Sequence, residues 1–330
     1  MMRVLVTGGS GFIGTNLVDI LLDKGAVILN LDINPPKKAT HASYWKRCDI
    51  MDRERTSGCI AEFRPDCLIH LAARTDTLSE DPDDYRVNSE GTKHILDCIR
   101  NTPSIQRVII TSSQFAFAPP GLPSNDEEFN PIGAYGLSKV LSEKATREAG
   151  LSCTWTIIRP TNIWGPWHPR YPMEFWLVLK RGLYFHPGGK STIRSYGYVK
   201  NVIDQMLKIL DASPSLVHGK VYYVGDPPIP LEKWTNGFSV AITGKPVRVL
   251  PRSMLMVLAT AGSLFKAVGI PFPITRSRYR SMTEDYFSPI EKTIQAFGPP
   301  PYSLEEGIRE TVAWLNEFWK GQAQQPGSLL

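Results

Sequence analysis

Through the first half of the chain, short runs of β-branched residues alternate with longer stretches whose apolar positions recur every three or four residues. Strands are predicted at Arg3 to Thr7, Val27 to Leu31, Cys67 to Leu71, Val108 to Thr111 and Thr154 to Ile158. Helices are predicted from Phe12 to Lys24, Arg53 to Phe63, Asp84 to Arg100 and Ala134 to Ala149. This alternation is the signature of an α/β, doubly wound parallel sheet covered by helices. After Arg159-Pro160 the texture changes to a loop dense in Pro, Gly and Trp, from Trp164 to Pro172. Residues 1–165 are therefore expected to form the first domain and residues 166–330 mainly a smaller, substrate-binding one. A return to the sheet is expected around 192–224, where Val199 to Leu210 reads as a helix and Val221 to Val224 as a strand. The tail from Gln322 to Leu330 reads as frayed.

A chain of 330 residues that is 42% hydrophobic and 21% charged is ordinary globular material, so disorder is excluded and the motifs must decide the class. The net charge of +5 forms no basic run of the nucleic-acid kind, which leaves anionic small molecules as partners. Five cysteines, without a C-x-x-C pair, suggest neither a disulfide framework nor a zinc site, so a reducing cytoplasm is expected. Met1, Met2 and Arg3 run directly into Val4-Leu5-Val6 without an apolar stretch and small-residue cleavage site, so secretion is not expected. The most membrane-like stretch, Ser253 to Phe265, lies between Arg252 and Lys266 and is shorter than the roughly 20 residues a spanning helix needs. It reads as a buried or cap helix, with a surface-bound helix as the alternative, and no membrane span is expected.

Gly9-Ser10-Gly11-Phe12-Ile13-Gly14 follows the first strand and opens the first helix, and Asp32 ends the second strand. Glycines in that place allow a tight turn and close approach of backbone to a pyrophosphate. The helix start offers unpaired N–H groups, and the acid accepts from ribose hydroxyls. A carboxylate at the ribose 2′ position repels the extra phosphate of NADP, so NAD is expected; Lys37 and Lys38 just beyond read as a solvated surface.

Tyr135 and Lys139 begin a predicted helix four residues apart, on one face. A phenol is a poor base at neutral pH, and a nearby ammonium is expected to favour the phenolate. Thr111-Ser112-Ser113 follows a strand, where a hydroxyl could bond the substrate oxygen whose proton Tyr135 removes.

With these pieces in place the chain resembles the extended short-chain dehydrogenase/reductase family, in its NAD-dependent epimerase/dehydratase group, over nearly its whole length. The matching pieces are Thr7-Gly8-Gly9-Ser10-Gly11-Phe12-Ile13-Gly14, Asp49-Ile50, His70-Leu71-Ala72-Ala73, Asn88-Ser89-Glu90-Gly91-Thr92, Thr111-Ser112-Ser113, Tyr135 with Lys139, and Arg159-Pro160-Thr161-Asn162. The resemblance implies a Rossmann sheet with a smaller C-terminal domain, bound NAD, and a homodimer formed through the helices from Asp84 and from Ala134. It implies that Gly8, Gly11, Phe12, Ile13, Gly14 and Asp32 hold the cofactor, that Asp49 and Ile50 border the adenine, and that Leu71, Ala72 and Ala73 line the cofactor. Asn88 would support the central site, Tyr135 would be the acid/base, Lys139 would also bond the nicotinamide ribose, and Ser113 would position the reacting hydroxyl.

The departures narrow the chemistry. Family dehydratases place an acidic residue, often an Asp-Glu pair, beside the catalytic hydroxyl, whereas Gln114 and Phe115 follow Ser113 here, which disfavours dehydration. Neither Cys nor His follows Ser113, so epimerisation next to a ketone also loses support. The common Val-Tyr-Gly continuation is replaced by Ala116-Phe117-Ala118, which puts the local substrate contacts in doubt.

On the substrate side, Asn162 matches an asparagine that contacts nucleotide sugars, and Arg194 resembles the arginine that grips their diphosphate. A second arginine falls among Arg276, Arg278 and Arg280, with Arg276 read as solvated. Trp164, Trp167, Tyr171 and Trp176 are read as core rather than as stacking surfaces, and His168 and His186 receive no role, so no metal is expected. The stretch from Leu250-Pro251 through Pro271-Phe272-Pro273 is also similar to the hydroxysteroid-dehydrogenase branch. Three functions are thus in play: a nucleotide-sugar epimerase first, a dehydrogenase or ketoreductase of a nucleotide sugar or sterol-like alcohol second, and a non-enzymatic NAD-binding protein third.

Overall fold

The computed structural model describes residues 1–323 apart from 268, 270, 271 and 273. In chain order it runs β1 (Arg3–Thr7), α1 (Phe12–Asp23), β2 (Val27–Asp32), β3 (Trp45–Arg47), α2 (Arg53–Phe63), β4 (Cys67–His70), α3 (Arg86–Arg100), β5 (Arg107–Thr111), α4 (Gly133–Glu148), β6 (Thr154–Pro160) and β7 (Asn162–Trp164). Then follow α5 (Phe175–Lys180), β8 (Phe185–Pro187), β9 (Ile193–Arg194), β10 (Tyr196–Tyr198), α6 (Val199–Asp211), α7 (Pro214–Val217), β11 (Val221–Val224) and β12 (Ile229–Pro230). The chain ends through α8 (Leu231–Thr243), β13 (Arg248–Leu250), α9 (Arg252–Ala267), α10 (Arg276–Thr283), α11 (Glu291–Phe297) and α12 (Leu304–Ala323).

Seven strands pair in the order β11-β6-β5-β4-β1-β2-β3, all parallel. Leu5, Leu68, Ile109 and Ile157 are fully buried in its central strands, because helices cover both faces. The direction of winding reverses between β1 and β4, and doubly wound sheets open a ligand crevice at that reversal, beyond the carboxyl ends of the strands. The glycine turn after β1 and residues Leu71 to Ala73 after β4 both stand there.

The chain divides into two compact units. The first comprises residues 1–167, 197–226 and 288–301 and holds the sheet; the second comprises 168–196, 227–287 and 302–330. The predicted strand at Val221 to Val224 is the sheet's edge strand β11, while the contribution of 288–301 carries no pattern that marks it in the sequence. In the second unit β12 pairs antiparallel with β9, and β13 parallel with β8. Its core is aromatic: Trp234 stacks on Tyr196 at 4.3 Å and on Phe175 at 5.0 Å, and Trp176 lies against Tyr171 and Phe238. Gln322 and Ala323 complete α12, and the rest of the predicted frayed tail lies outside the described residues, as do Pro271 and Pro273. Among the described residues no helix is long and apolar enough to cross a membrane.

Candidate active site

Gly8 turns the chain out of β1 at φ 77°, with its N–H donating to Leu31 O at 2.8 Å. A Cβ on Gly14 would overlap the backbone of Gly8 and Gly9, so α1 rests directly on the turn. One on Gly11 would meet only the Gly8 carbonyl oxygen, at 3.1 Å, so the outer side of the turn is open. Phe12, Ile13 and Gly14 begin α1 without a side-chain cap or an acid in the first turn, an end suited to an anion. At the end of β2 the Asp32 carboxylate accepts from Ser10 N at 3.0 Å and Asn34 N at 2.9 Å. Burial pushes its pKa up against those donors. Lys37 and Lys38 are not the free solvated pair expected: Lys38 Nζ bonds Asp19 at 2.7 Å, and Lys37 Nζ donates to Trp167 O at 3.0 Å. An open glycine turn plus a carboxylate at the neighbouring strand end fits a dinucleotide.

Leu71 N donates to Thr7 O, and a Cβ on Gly8 would overlap Ala72, so Leu71, Ala72 and Ala73 form the facing lip. Asp49 Oδ1 caps Met51 N at 2.9 Å, and the Ile50 side chain is buried against Gly91.

Beneath this cradle runs a buried polar chain. Thr7 Oγ1 accepts from Ala72 N and lies 2.7 Å from His70 Nδ1, while His70 Nε2 lies 3.0 Å from Thr92 Oγ1. Thr92 Oγ1 donates to Asn88 O at 2.6 Å and accepts from Ser142 Oγ. The donors along this path assign His70 as a neutral imidazole protonated on Nε2, and burial together with the Lys139 charge holds its pKa down at about 3. Asn88, fully buried, donates to Ser138 Oγ at 2.9 Å and to Arg74 O, and accepts from Arg74 N; Ser138 donates to Tyr135 O. Asn88 thereby fixes the first turn of α4.

That turn carries the reactive groups. Tyr135 lies edge-on to Tyr85 and to Phe115, each at 6.0 Å. Its phenol is pushed up to about 12 by burial, against a hydrogen bond with the Ser113 hydroxyl. Ser113 Oγ also accepts from Phe115 N at 3.1 Å. Lys139 Nζ donates to Thr111 O at 2.9 Å, and burial pulls its pKa down to about 8 while Glu143 pushes it back up. The expectation of a phenol lowered by its lysine is corrected on this point: the ammonium is committed to a strand carbonyl, and burial dominates the phenol.

Behind Lys139 is an ion pair the sequence reading missed. Glu143 and Arg159 have no exposure, and the guanidinium binds the carboxylate through two bonds, at 2.8 and 2.9 Å. Arg159 also donates to Tyr223 Oη at 3.0 Å and Asp126 O at 3.0 Å. Burial opposes its charge, but the Glu143 partnership raises its pKa overall. An arginine inside an otherwise apolar strand was the available signal. A second missed group is Gln114, buried, whose Nε2 donates to Asn162 Oδ1 at 3.0 Å and whose Oε1 accepts from Ser288 Oγ at 3.1 Å.

In the second unit Arg194 places its guanidinium 5.5 Å from the Tyr286 ring centre, and its buried Nε has no hydrogen-bond partner. Arg276, Arg278 and Arg280 are exposed on α10. Trp164 and Trp176 are fully buried, as core residues are. His168 Nδ1 accepts from two backbone N–H groups, and His186 lies 3.6 Å from Glu232.

Residues 4–225 match the model of the NAD-dependent epimerase/dehydratase family. The chain belongs to that family. As a member of it, the protein is an enzyme of the extended short-chain dehydrogenase/reductase type, and its cofactor is NAD. It is 34% identical over 233 residues to a UDP-glucose 4-epimerase of Mycolicibacterium smegmatis, covering 63% of this chain and 72% of that one. It is 26% identical over 352 residues to a 3-beta-hydroxysteroid dehydrogenase of Mycolicibacterium neoaurum, covering 98% and 94%. In fold this family member resembles the crystal structure of UDP-glucose 4-epimerase from Thermotoga maritima, with a TM-score of 0.73 at 22% identity over 96% of this chain and all of that one.

Proposed function

We propose that the protein is a nucleotide-sugar epimerase that oxidises one sugar hydroxyl to a ketone and reduces it again from the other face. The observation that carries this reading is the pairing of Ser113 with Tyr135 next to a Gln114 that is spent on Asn162. Proton transfer is provided for, while the two positions after Ser113 supply no acid to expel water. NAD, when bound, supplies hydride acceptance and return. Tyr135 Oη takes the hydroxyl proton and later gives it back, Ser113 Oγ holds the reacting oxygen and, through its hydrogen bond, favours the phenolate, and Lys139 stands one turn further along α4 for the nicotinamide ribose. With Oδ1 of Asn162 engaged by Gln114, its amide N–H groups are left for substrate oxygens. Arg194, whose Nε lacks a partner, suits a diphosphate. Arg278 and Arg280 are the further candidates. The relative in Mycolicibacterium smegmatis bears the same activity in its name.

The reading includes a homodimer through α3 and α4, where Leu137 and Leu141 are exposed. It also includes a cytoplasmic setting, which suits five free cysteines.

One observation favours a second reading, oxidation of a sterol-like alcohol. The hydroxysteroid dehydrogenase relative aligns with 98% of the chain, including the second unit. Supplying a panel of nucleotide sugars and sterols without added cofactor separates the two. Stereoisomer formation with no net nicotinamide absorbance supports epimerisation; stoichiometric NADH with demand for fresh NAD overturns it.

A further inference from the structure

From Lys233 to Thr283 the chain contains no Asp or Glu and eight Lys or Arg, so its net charge of +5 is +8 in this stretch and −3 everywhere else. The stretch lies wholly in the second unit and outside residues 4–225 that match the family. Within it, α9 buries Leu255, Ala259 and Gly262 on one face. The opposite face carries Met254, Val257, Leu264 and Phe265, with Met256 beside it; Val257 is 68% and Leu264 67% exposed. Of the charged residues of α9, Arg252 starts the helix with its guanidinium donating to Gly188 O and Lys190 O, and Lys266 is next to last in the sequence of the helix, so the cations beside the stripe are those of α10. Arg276, Arg278 and Arg280 follow on the exposed α10, which packs on α9.

We propose that α9 and α10 form a docking surface for an anionic lipid membrane, with the apolar face of α9 entering the headgroup layer and the α10 arginines meeting lipid phosphates. An uncharged apolar stripe bordered by cations is the arrangement an interfacial helix uses, and each basic side chain near such a surface adds about fivefold to partitioning. The charge selects this occupant over a second copy of the chain: a two-fold pairing of the stripe would bring the same arginines of both copies together, and Glu284, 3.9 Å from Arg280, answers one of the three. The stripe also disfavours nucleic acid, because the Phe265 ring is already stacked on Phe272 at 5.7 Å and the aliphatic and thioether side chains around it give bases no stacking platform. The proposal shares Arg278 and Arg280 with the substrate candidates named above and otherwise stands apart from the epimerase reading, so vesicle binding is scored separately from turnover.

The test is flotation of the full chain with vesicles of phosphatidylcholine alone and of phosphatidylcholine mixed with phosphatidylglycerol. Binding is expected to the mixed vesicles only and to weaken with salt. The triple substitution Arg276→Gln, Arg278→Gln, Arg280→Gln is expected to lower it at least about tenfold, and Val257→Ser with Leu264→Ser to abolish it, both variants still binding NAD. Absence of binding to the mixed vesicles, or binding that the arginine variant retains in full, overturns the proposal. So does a self-association that Val257→Ser with Leu264→Ser removes, since the stripe would then belong to a second copy.

Discussion

Tyr135 sits where burial alone would make it a donor rather than a base, and its neighbours are what make it usable. Because Asn88 and Ser138 hold its turn through the backbone, the phenol can be removed without disturbing the cradle. Tyr135→Phe is expected to lose nearly all turnover while binding NAD as the wild type does, measured by steady-state kinetics beside cofactor titration. Turnover within a few-fold of wild type would remove Tyr135 from the mechanism. Glu143 acts on the fold instead. Glu143→Ala strands the Arg159 guanidinium in the interior and is expected to cost about 3–5 kcal/mol in urea unfolding, while Glu143→Met combined with Arg159→Met recovers much of that loss. The two residues lie 16 apart on different elements, and only the fold joins them. That is why the motif around Arg159 was legible and its partner was not.

At the scale of elements, what was legible is what depends on short-range pattern. α2 and β11 occupy their predicted spans, and α1 ends one residue early at Asp23. β3 escaped because three half-exposed or exposed residues, Trp45 to Arg47, have no periodicity to read and form a strand only by pairing with Asn30 to Asp32. The junction of β1, β4, α3 and α4 through His70 was equally hidden, since its polar members reveal themselves only when the elements meet. It carries a pH signature. An unfolded histidine titrates near 6.5, but the fold holds His70 neutral down to about 3, so between these values the unfolded chain binds more protons and stability falls as pH falls. From about pH 6.5 to about pH 5, the wild type is expected to lose about 1–2 kcal/mol more than His70→Gln in urea unfolding. Equal losses would mean that His70 is free to charge in the folded state.

For the whole molecule, the strand order follows from rules that any alternating strand–helix chain obeys, with crossovers of one hand and a reversal at the first strand. Nothing comparable governs the second unit, whose strands are two or three residues long and whose core is a cluster of rings, so the sequence showed a change of texture there without its architecture. Assembly is a further step. On α4, Leu137 and Leu141 are 37% and 43% exposed one turn apart, while the opposite face of the helix buries Lys139, Glu143 and Thr146. Apolar side chains at i and i+4 give an outward ridge, and in a two-fold pairing the same ridge on a second copy covers it. This ridge and the α9 stripe share no residue, so the two can be tested apart. The wild type is expected to sediment as a dimer at micromolar concentration, and Leu137→Glu with Leu141→Glu as a monomer, because each copy would bring its new carboxylates against those of its mate. Val257→Ser with Leu264→Ser should leave the dimer intact. A wild type that sediments as a monomer, or a dimer that survives the glutamates, would place the contact elsewhere or remove it.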